Sequence, residues 1–114
     1  MPKDDRIRLQ HMLEAAEEAV AFARGQRREE LEGDRKLTLA LLKCIEVVGE
    51  AAARISEPTR LEYTGIPWPD IIGMRNRLVH TYFEIDLNLV WETVQRDLPP
   101  LIAELRKILP PKQD

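Results

Sequence analysis

The chain has few of the residues that build disulfides, metal centres and membrane spans. Its 114 residues include one cysteine, Cys44, and two histidines far apart in sequence, so it has no intrachain disulfide and no thiolate metal site. Cys44 stands near Leu42 and Ile45 and is predicted to be a small buried residue. No apolar run approaches the roughly 20 residues that cross a bilayer. We therefore expect no metal, no cofactor and no membrane contact.

The charge balance limits the kinds of partner. The formal net charge is −3, whereas a nucleic-acid binder usually carries a basic footprint, so extended duplex binding is disfavoured. A small phosphate site built from a few arginines remains compatible with this charge, and so do contacts mainly with other proteins. Met1–Arg6 leads into no apolar signal segment, which predicts a cytoplasmic protein. The length predicts a single domain over residues 1–114.

Apolar residues at helical spacing predict two helices in the first half of the chain. The first is predicted over Asp4–Gly25, with Asp4 as the N-cap and Gly25 as the stop. The charged segment 26–33 is either a loop or a solvated helical turn. A longer helix is predicted over Asp34–Ile55. Gly49 inside it costs about 1 kcal/mol against alanine, which indicates close approach of another backbone.

The second half of the chain continues the helical pattern. A short helical turn is predicted over 58–61, then a helix over Pro67–Tyr82, and then a helix capped by Asp86. The prolines in Asp97–Pro100 predict a break or kink before a last helix over Leu101–Leu109. No segment predicts a strand. The expected fold is all-α, an antiparallel up-and-down bundle of about five helices.

The predicted helix over Pro67–Tyr82 concentrates the polar chemistry of the chain. One face is apolar and is made by Ile71, Met74, Leu78 and Tyr82. The other face is polar and carries Arg75, Asn76, Arg77 and His80.

On a straight helix, Asn76 and His80 lie one above the other. Arg75 and His80 diverge by about 140° around the axis and about 7.5 Å along it, so one straight helix does not hold them together. Either the helix ends near His80, or a second copy of the chain supplies the missing half. We prefer a twofold dimer that brings two arginines and two histidines into one cleft.

An arginine with a histidine is sufficient for one kind of RNA cleavage. Histidine has an ordinary pKa near 6.5 and can take or give a proton at neutral pH. Arginine offers a fixed fork of donors to a phosphate. Attack of a 2′-hydroxyl on its neighbouring phosphate needs no metal. Arg6 and His11 have the same spacing but are interpreted as surface residues of the first helix. No asparagine follows Arg6 as Asn76 follows Arg75, and no tyrosine stands two residues after His11 as Tyr82 does after His80.

The stretch R-N-R-L-V-H-T-Y resembles the arginine-x4-histidine-x-tyrosine motif of HEPN-domain proteins of the HepT-like group. Three segments carry the resemblance across nearly the whole chain: V-V-G-E-A-A at 47–52, I-P-W-P-D-I-I-G-M-R-N-R-L-V-H-T-Y-F at 66–83 and D-L-N-L-V-W-E-T-V-Q-R-D-L-P at 86–99. The resemblance implies a HEPN-like helical bundle that forms a homodimer or a higher oligomer, with the motif helices meeting at a cleft.

The resemblance also implies an activity and a partner. Members are similar to the toxin half of toxin–antitoxin pairs and act as metal-independent endoribonucleases on RNA. An MntA-like nucleotidyltransferase is their antitoxin. By position, Arg75 and His80 are the implied catalytic pair and Asn76 the supporting residue. Tyr82 is the implied acceptor of an AMP group that blocks the toxin.

Several roles stay open at the level of sequence. Arg77 is either an RNA-phosphate contact or a salt-bridge partner, and Glu50 or Asp34 is a candidate support for the site. The alternative function is a non-catalytic helical subunit that binds a nucleotide or a nucleotidyltransferase. The acidic net charge favours that alternative, whereas the complete set of Arg75, Asn76, His80 and Tyr82 favours the ribonuclease.

Overall fold

Helices make up most of the structure, which confirms the predicted all-α class. The computed structural model describes residues 1–81 and 84–110, and for His80 and Thr81 it describes the backbone. The helices are α1 (Lys3–Ala23), α2 (Glu30–Gly33), α3 (Arg35–Ala53), α4 (Glu57–Glu62), α5 (Trp68–Ile72), α6 (Leu87–Glu92) and α7 (Leu98–Ile108). Between them lie a 3₁₀ turn (Arg75–Arg77), two short strands, β1 (Val79–Thr81) and β2 (Glu84–Ile85), and a π segment (Thr93–Asp97). Within the described ranges, no helix is long and apolar enough to cross a membrane.

The two long helices, α1 and α3, form an antiparallel pair at the centre of the bundle. Asp5 near the start of α1 contacts Ser56 just beyond α3, and Glu18 near the end of α1 contacts Cys44 in the middle of α3. The largest fully buried side chains come from these two helices and from the segments that cover them: Leu9, Met12, Leu41, Ile45, Val48, Ile55, Met74, Leu78, Val90, Val94, Leu98 and Leu105.

Most of the predicted helix boundaries agree with the structure. The carboxylate of Asp34 accepts the N–H of Leu37 at 3.0 Å, and Asp86 accepts the N–H of Leu89 at 3.1 Å, so both act as N-caps. Gly25 has φ +77°, a left-handed conformation that suits glycine after the end of α1.

The predicted cap at Asp4 is wrong. Helix α1 begins at Lys3, so Asp4 lies in its first turn, where a carboxylate is favoured by the helix dipole. The adjacent Asp5 is buried and accepts hydrogen bonds from the hydroxyl groups of Ser56 and Thr59. These bonds hold the start of α1 against α4.

The predicted continuous helix over Pro67–Tyr82 is also wrong. Helix α5 ends at Ile72, and Gly73, a weak helix former, follows it. The N–H groups of Asn76, Arg77 and Leu78 donate to carbonyls three residues back, which is the tighter pattern of a 3₁₀ turn. The polar residues of the motif therefore stand on a short turn.

A small antiparallel hairpin follows the 3₁₀ turn, although no strand was predicted. Val79 pairs with Ile85 and Thr81 with Glu84, with a register irregularity between Val79 and Thr81. β-Branched residues at 79, 81 and 85 fit a strand better than a helix. Tyr82, the last residue of the predicted helix, lies outside the described residues.

Of the predicted break or kink at Asp97–Pro100, the break is absent, because α6 and α7 join through the π segment. The N–H of Leu98 donates to the carbonyl of Thr93, five residues back. Pro99 and Pro100 then fall in the first turn of α7, where their missing N–H groups are tolerated. The widened turn lets the helix continue through both prolines.

Candidate active site

Helix α3 places two glutamates opposite the 3₁₀ turn. Glu46 and Glu50 are four residues apart and so share one face of α3. With Arg75 and Asn76 they line a shallow cleft of about 270 Å³, here called the Arg75 cleft. The other lining residues are Gly49, Ala53 and Ile72.

Gly49 sets the distance between α3 and the segment that leads into Arg75. A Cβ atom at position 49 would lie 3.2 Å from the carbonyl oxygen of Ile72 and 3.3 Å from that of Ile71. The predicted close approach of another backbone is confirmed. Because glycine has no side chain, α3 can pack directly on the end of α5 and bring its glutamates to the cleft.

The guanidinium of Arg75 is oriented by Glu46 and remains open to solvent. Arg75 Nε lies 3.6 Å from Glu46 Oε2, and Lys43 Nζ lies 3.7 Å from Glu46 Oε1. The side chain of Arg75 is 45% exposed, so an anion can reach it without displacing core residues. An exposed pair of this kind stabilises a fold by about 1 kcal/mol or less, so its main effect is to orient the guanidinium.

Arg77 points away from the Arg75 cleft. In a 3₁₀ turn each residue advances by about 120°, so residues two apart do not share a face. Arg77 instead donates to the carbonyl oxygen of Asp70 at 3.3 Å and lies 4.0 Å from its carboxylate. Arg77 therefore has the ion-pair partner that one of its two predicted roles requires, and its role as an RNA-phosphate contact stays a prediction.

His80 lies in β1, beyond the 3₁₀ turn that carries Arg75. The predicted stacking of Asn76 and His80 on one helical face is wrong, because no helix joins them. The alternative in which helical structure ends before His80 agrees with the fold. The roles of His80 and Tyr82 stay predictions.

The sequence prediction missed Glu46, the acidic residue next to Arg75. It named Glu50 and Asp34 as candidate supports. Glu50 does line the Arg75 cleft, whereas Asp34 caps α3. The available signal was the spacing of Glu46 and Glu50 around Gly49, which places both on the side of α3 that another backbone approaches.

The other titratable residues considered from the sequence lie on the surface of α1 or in the core. Arg6 and His11 are both exposed on α1, which confirms their interpretation as surface residues. Cys44 is buried as predicted, and its sulfur lies 3.7 Å from a carboxylate oxygen of Glu18. Burial and the nearby Glu18 charge raise the pKa of the Cys44 thiol to about 11. Among the described residues, no three His, Cys, Asp or Glu side chains are arranged to hold a metal ion.

The fold and the site define a small helical protein with an exposed arginine in a polar cleft. Comparison with known proteins then gives its family. Residues 12–108 match the family described as ribonuclease HepT-like, and the chain belongs to that family. The match confirms the predicted family and its enzyme class, ribonuclease. No solved structure matches the chain.

Three relatives illustrate the match. The chain is 34% identical over 96% of its length to "Putative RNase MJ1216" of Methanocaldococcus jannaschii, of which it covers 91%. It is 32% identical over 94% of its length to "Putative RNase TTE0752" of Caldanaerobacter subterraneus, covering 96% of that protein. It is 31% identical over 95% of its length to "Probable ribonuclease HepT" of Thermococcus cleftensis, covering 98% of it.

Proposed function

We propose that this protein is a metal-independent endoribonuclease and the toxin of a toxin–antitoxin pair. The observation that carries the proposal is the exposed Arg75, held beside Asn76 in a polar cleft, in a chain of the HepT-like ribonuclease family. We assign Arg75 and His80 as the catalytic pair and Asn76 as a supporting residue. The protein acts as a single domain in the cytoplasm.

The proposed reaction is attack of an RNA 2′-hydroxyl on the adjacent phosphate. His80 accepts the 2′-hydroxyl proton, and the 2′-oxygen forms a bond to phosphorus as the bond to the 5′-oxygen breaks. The guanidinium of Arg75 stabilises the charge that develops on the phosphoryl oxygens. The products are a 2′,3′-cyclic phosphate and a 5′-hydroxyl. The 5′-hydroxyl forms when an imidazolium gives its proton to the leaving 5′-oxygen.

A homodimer completes the site in this proposal. Arg75 stands on the 3₁₀ turn and His80 on β1, so one chain offers them from two separate elements. A twofold-related copy that meets this one at the Arg75 cleft brings two such pairs together. A higher oligomer built from these dimers is compatible with the same contact.

The proposed antitoxin is an MntA-like nucleotidyltransferase that transfers AMP to Tyr82. Tyr82 stands two residues after His80 in the sequence. A bulky nucleotide with a negative phosphate at that position repels an anionic RNA and occupies its space. Modification of Tyr82 would then switch the ribonuclease off.

A second candidate is a non-catalytic subunit that binds a nucleotide or a nucleotidyltransferase. Two glutamates, Glu46 and Glu50, line the Arg75 cleft, and the net charge of the chain is −3, both of which weaken attraction for a long polyanion. This candidate predicts binding without RNA cleavage.

Induced expression of the chain without any antitoxin tests the proposal. Wild type is expected to arrest growth and produce new RNA fragments, whereas Arg75→Ala and His80→Ala do neither. Arg77→Ala is the matched control, because Arg77 is an exposed arginine of the same turn that lies outside the Arg75 cleft. Folded wild type that leaves growth and RNA unchanged would favour the binding subunit.

A further inference from the structure

Helix α3 carries a short row of exposed residues that leads to the Arg75 cleft. Arg35, Leu39 and Lys43 are spaced by four residues, so each follows the last by about 40° around the helix and about 6 Å along it. All three are exposed, and Leu39 keeps 43% of its surface open although it is apolar. We call these three residues the α3 row.

The α3 row reaches the Arg75 cleft through Glu46. The ammonium of Lys43 lies 3.7 Å from one carboxylate oxygen of Glu46, and Nε of Arg75 lies 3.6 Å from the other. Glu46 follows Lys43 by three residues, which places both on one side of α3. Two cations therefore share one carboxylate, and this edge of the cleft keeps a net positive charge.

The other end of the α3 row is also positive. Arg35 forms no ion pair or side-chain hydrogen bond within residues 1–81 and 84–110, so its guanidinium can accept an anionic ligand. No acidic residue stands between Arg35 and Glu46. The carboxylate of Asp34 accepts the N–H of Leu37, and the exposed Lys36 offsets its charge.

The Arg75 cleft is acidic at its opposite end. Glu50 lines the cleft, is exposed, and forms no ion pair within the described part of the chain. The charge along this side of α3 therefore changes from positive at Arg35 to negative at Glu50. A single strand with one phosphate at Arg75 is attracted toward Arg35 and repelled from Glu50.

We propose that the α3 row binds the RNA strand on one side of the cleaved phosphate. Lys43 and Arg35 contact phosphates of that strand, and Leu39 between them offers apolar surface to a ribose or base. The row spans about 12 Å, so it holds a few nucleotides of a single strand. This inference rests on the proposed ribonuclease function and adds a substrate requirement to it: a single-stranded extension that runs toward the start of α3.

Cleavage of three short RNAs by the full chain tests the one-sided requirement. The first is a dinucleotide, and the other two extend it on the 5′ side or on the 3′ side by about four nucleotides, which span the row at about 3.4 Å each. Every 2′-hydroxyl except the attacking one is O-methylated, so that only one bond can be cleaved. One extension is expected to lower KM about tenfold or more, whereas the other leaves it close to that of the dinucleotide.

The double variant Arg35→Gln/Lys43→Gln should abolish the advantage of the extended RNA over the dinucleotide. The matched control is Lys3→Gln/Arg6→Gln, which makes the same charge change at exposed positions near the start of α1. That end of α1 lies beside Ser56, beyond the far end of α3, so this variant should keep the advantage within about twofold.

Salt dependence of binding tests the phosphate contacts without cleavage. A fully 2′-O-methylated RNA with the favoured extension is titrated by fluorescence anisotropy between about 50 and 200 mM salt. Each lost phosphate contact should reduce the slope of log K against log salt by about 0.7, so Arg35→Gln/Lys43→Gln should reduce it by about 1.4. Lys3→Gln/Arg6→Gln should leave the slope unchanged.

Leu39→Glu tests the row with both cations in place. The new carboxylate stands four residues from Arg35 and from Lys43, where it neutralises them and repels a phosphate. Binding of the extended RNA should weaken about fivefold or more. Leu61→Glu is the matched control, because Leu61 is an exposed leucine of α4 that lines none of this surface, and it should leave binding within about twofold.

The outcomes separate this inference from the function on which it rests. Wild type that neither binds nor cleaves RNA would overturn both. Binding without cleavage would overturn the ribonuclease, and the salt slopes would then decide the row. Cleavage with equal gains from the two extensions, or with equal effects of row and control variants, would overturn this inference alone. Lost self-association in Arg35→Gln/Lys43→Gln would also overturn it, by assigning the row to a contact between copies. Circular dichroism checks that each variant is folded.

Discussion

Glu46 on α3 lies 3.6 Å from the guanidinium of Arg75 on the 3₁₀ turn, with Gly49 one helical turn further along α3. The two residues meet because Gly49 lets α3 pack against the carbonyl groups of Ile71 and Ile72. The backbone contact therefore determines the position of the arginine that we assign to phosphate binding. Each part of this arrangement can be changed separately.

The ion pair itself is tested by Glu46→Gln. Glutamine keeps the shape of the side chain and removes the charge that orients Arg75. We expect a two- to fivefold lower kcat for RNA cleavage, about 0.4–1 kcal/mol in the barrier, with little change in KM. Rescue by Glu46→Asp would support the orienting role.

The matched control for that prediction is Glu30→Gln. Glu30 makes a comparable exposed pair with Arg27 at 3.5 Å, remote from the Arg75 cleft. Neither variant should change the free energy of unfolding by more than about 1 kcal/mol. An equal loss of kcat in both variants would contradict the orienting role of Glu46.

Gly49→Ala tests the backbone contact. Alanine favours the helix by about 1 kcal/mol, but its Cβ would crowd two carbonyl oxygens at 3.2 and 3.3 Å. We expect net destabilisation of about 1 kcal/mol and a lower kcat, because α3 and α5 must separate. Chemical denaturation and the cleavage assay measure both effects.

Gly33→Ala provides the control, because a Cβ at position 33 would meet no atom within 4 Å. It should leave kcat unchanged and unfolding free energy equal or slightly higher. If Gly49→Ala behaves in the same way as Gly33→Ala, the close approach does not determine the site.

The buried carboxylate of Asp5 predicts an acid-sensitive fold. Hydrogen bonds from Ser56 and Thr59 hold the pKa of Asp5 below its ordinary value of 3.8. A lowered folded-state pKa stabilises the protein above the unfolded value, and this contribution is lost as pH falls below about 3.8. Asp5→Asn should therefore cost stability at neutral pH and lessen the decline in unfolding free energy below pH 4.

Urea unfolding of wild type and Asp5→Asn across the acid range measures this effect. Asp4→Asn is the neighbouring control, since Asp4 is exposed on the same turn of α1. An acid decline that is the same in wild type and Asp5→Asn would show that other carboxylates determine it.

The sequence predicted the helices and their family more accurately than the local geometry of the site. The amphipathic stripes of α1 and α3, the caps at Asp34 and Asp86 and the close approach at Gly49 are local signals that the structure confirms. Arg75 and Asn76 were identified by the motif, and both line the Arg75 cleft.

The errors lie where local signals compete. Apolar residues at 71, 74 and 78 keep helical spacing, yet Gly73 and the β-branched residues that follow favour a turn and a hairpin. The spacing around Gly49 places Glu46 on the side of α3 that another backbone approaches, but its contact with Arg75 also depends on the 3₁₀ turn, which the sequence did not predict. Pro99 and Pro100 were expected to break or kink a helix, and a π segment lets the helical chain continue into them without a break.

Cleavage of a defined RNA by the purified protein in the presence of EDTA tests the central claim most directly. Wild type should produce fragments that end in 2′,3′-cyclic phosphates, and a substrate with 2′-deoxy nucleotides should resist cleavage. Arg75→Ala and His80→Ala should each lower kcat by about a hundredfold or more, whereas Arg77→Ala stays close to wild type. A folded wild type that leaves the RNA intact, or cleavage that persists in both variants, would contradict the assignment of Arg75 and His80.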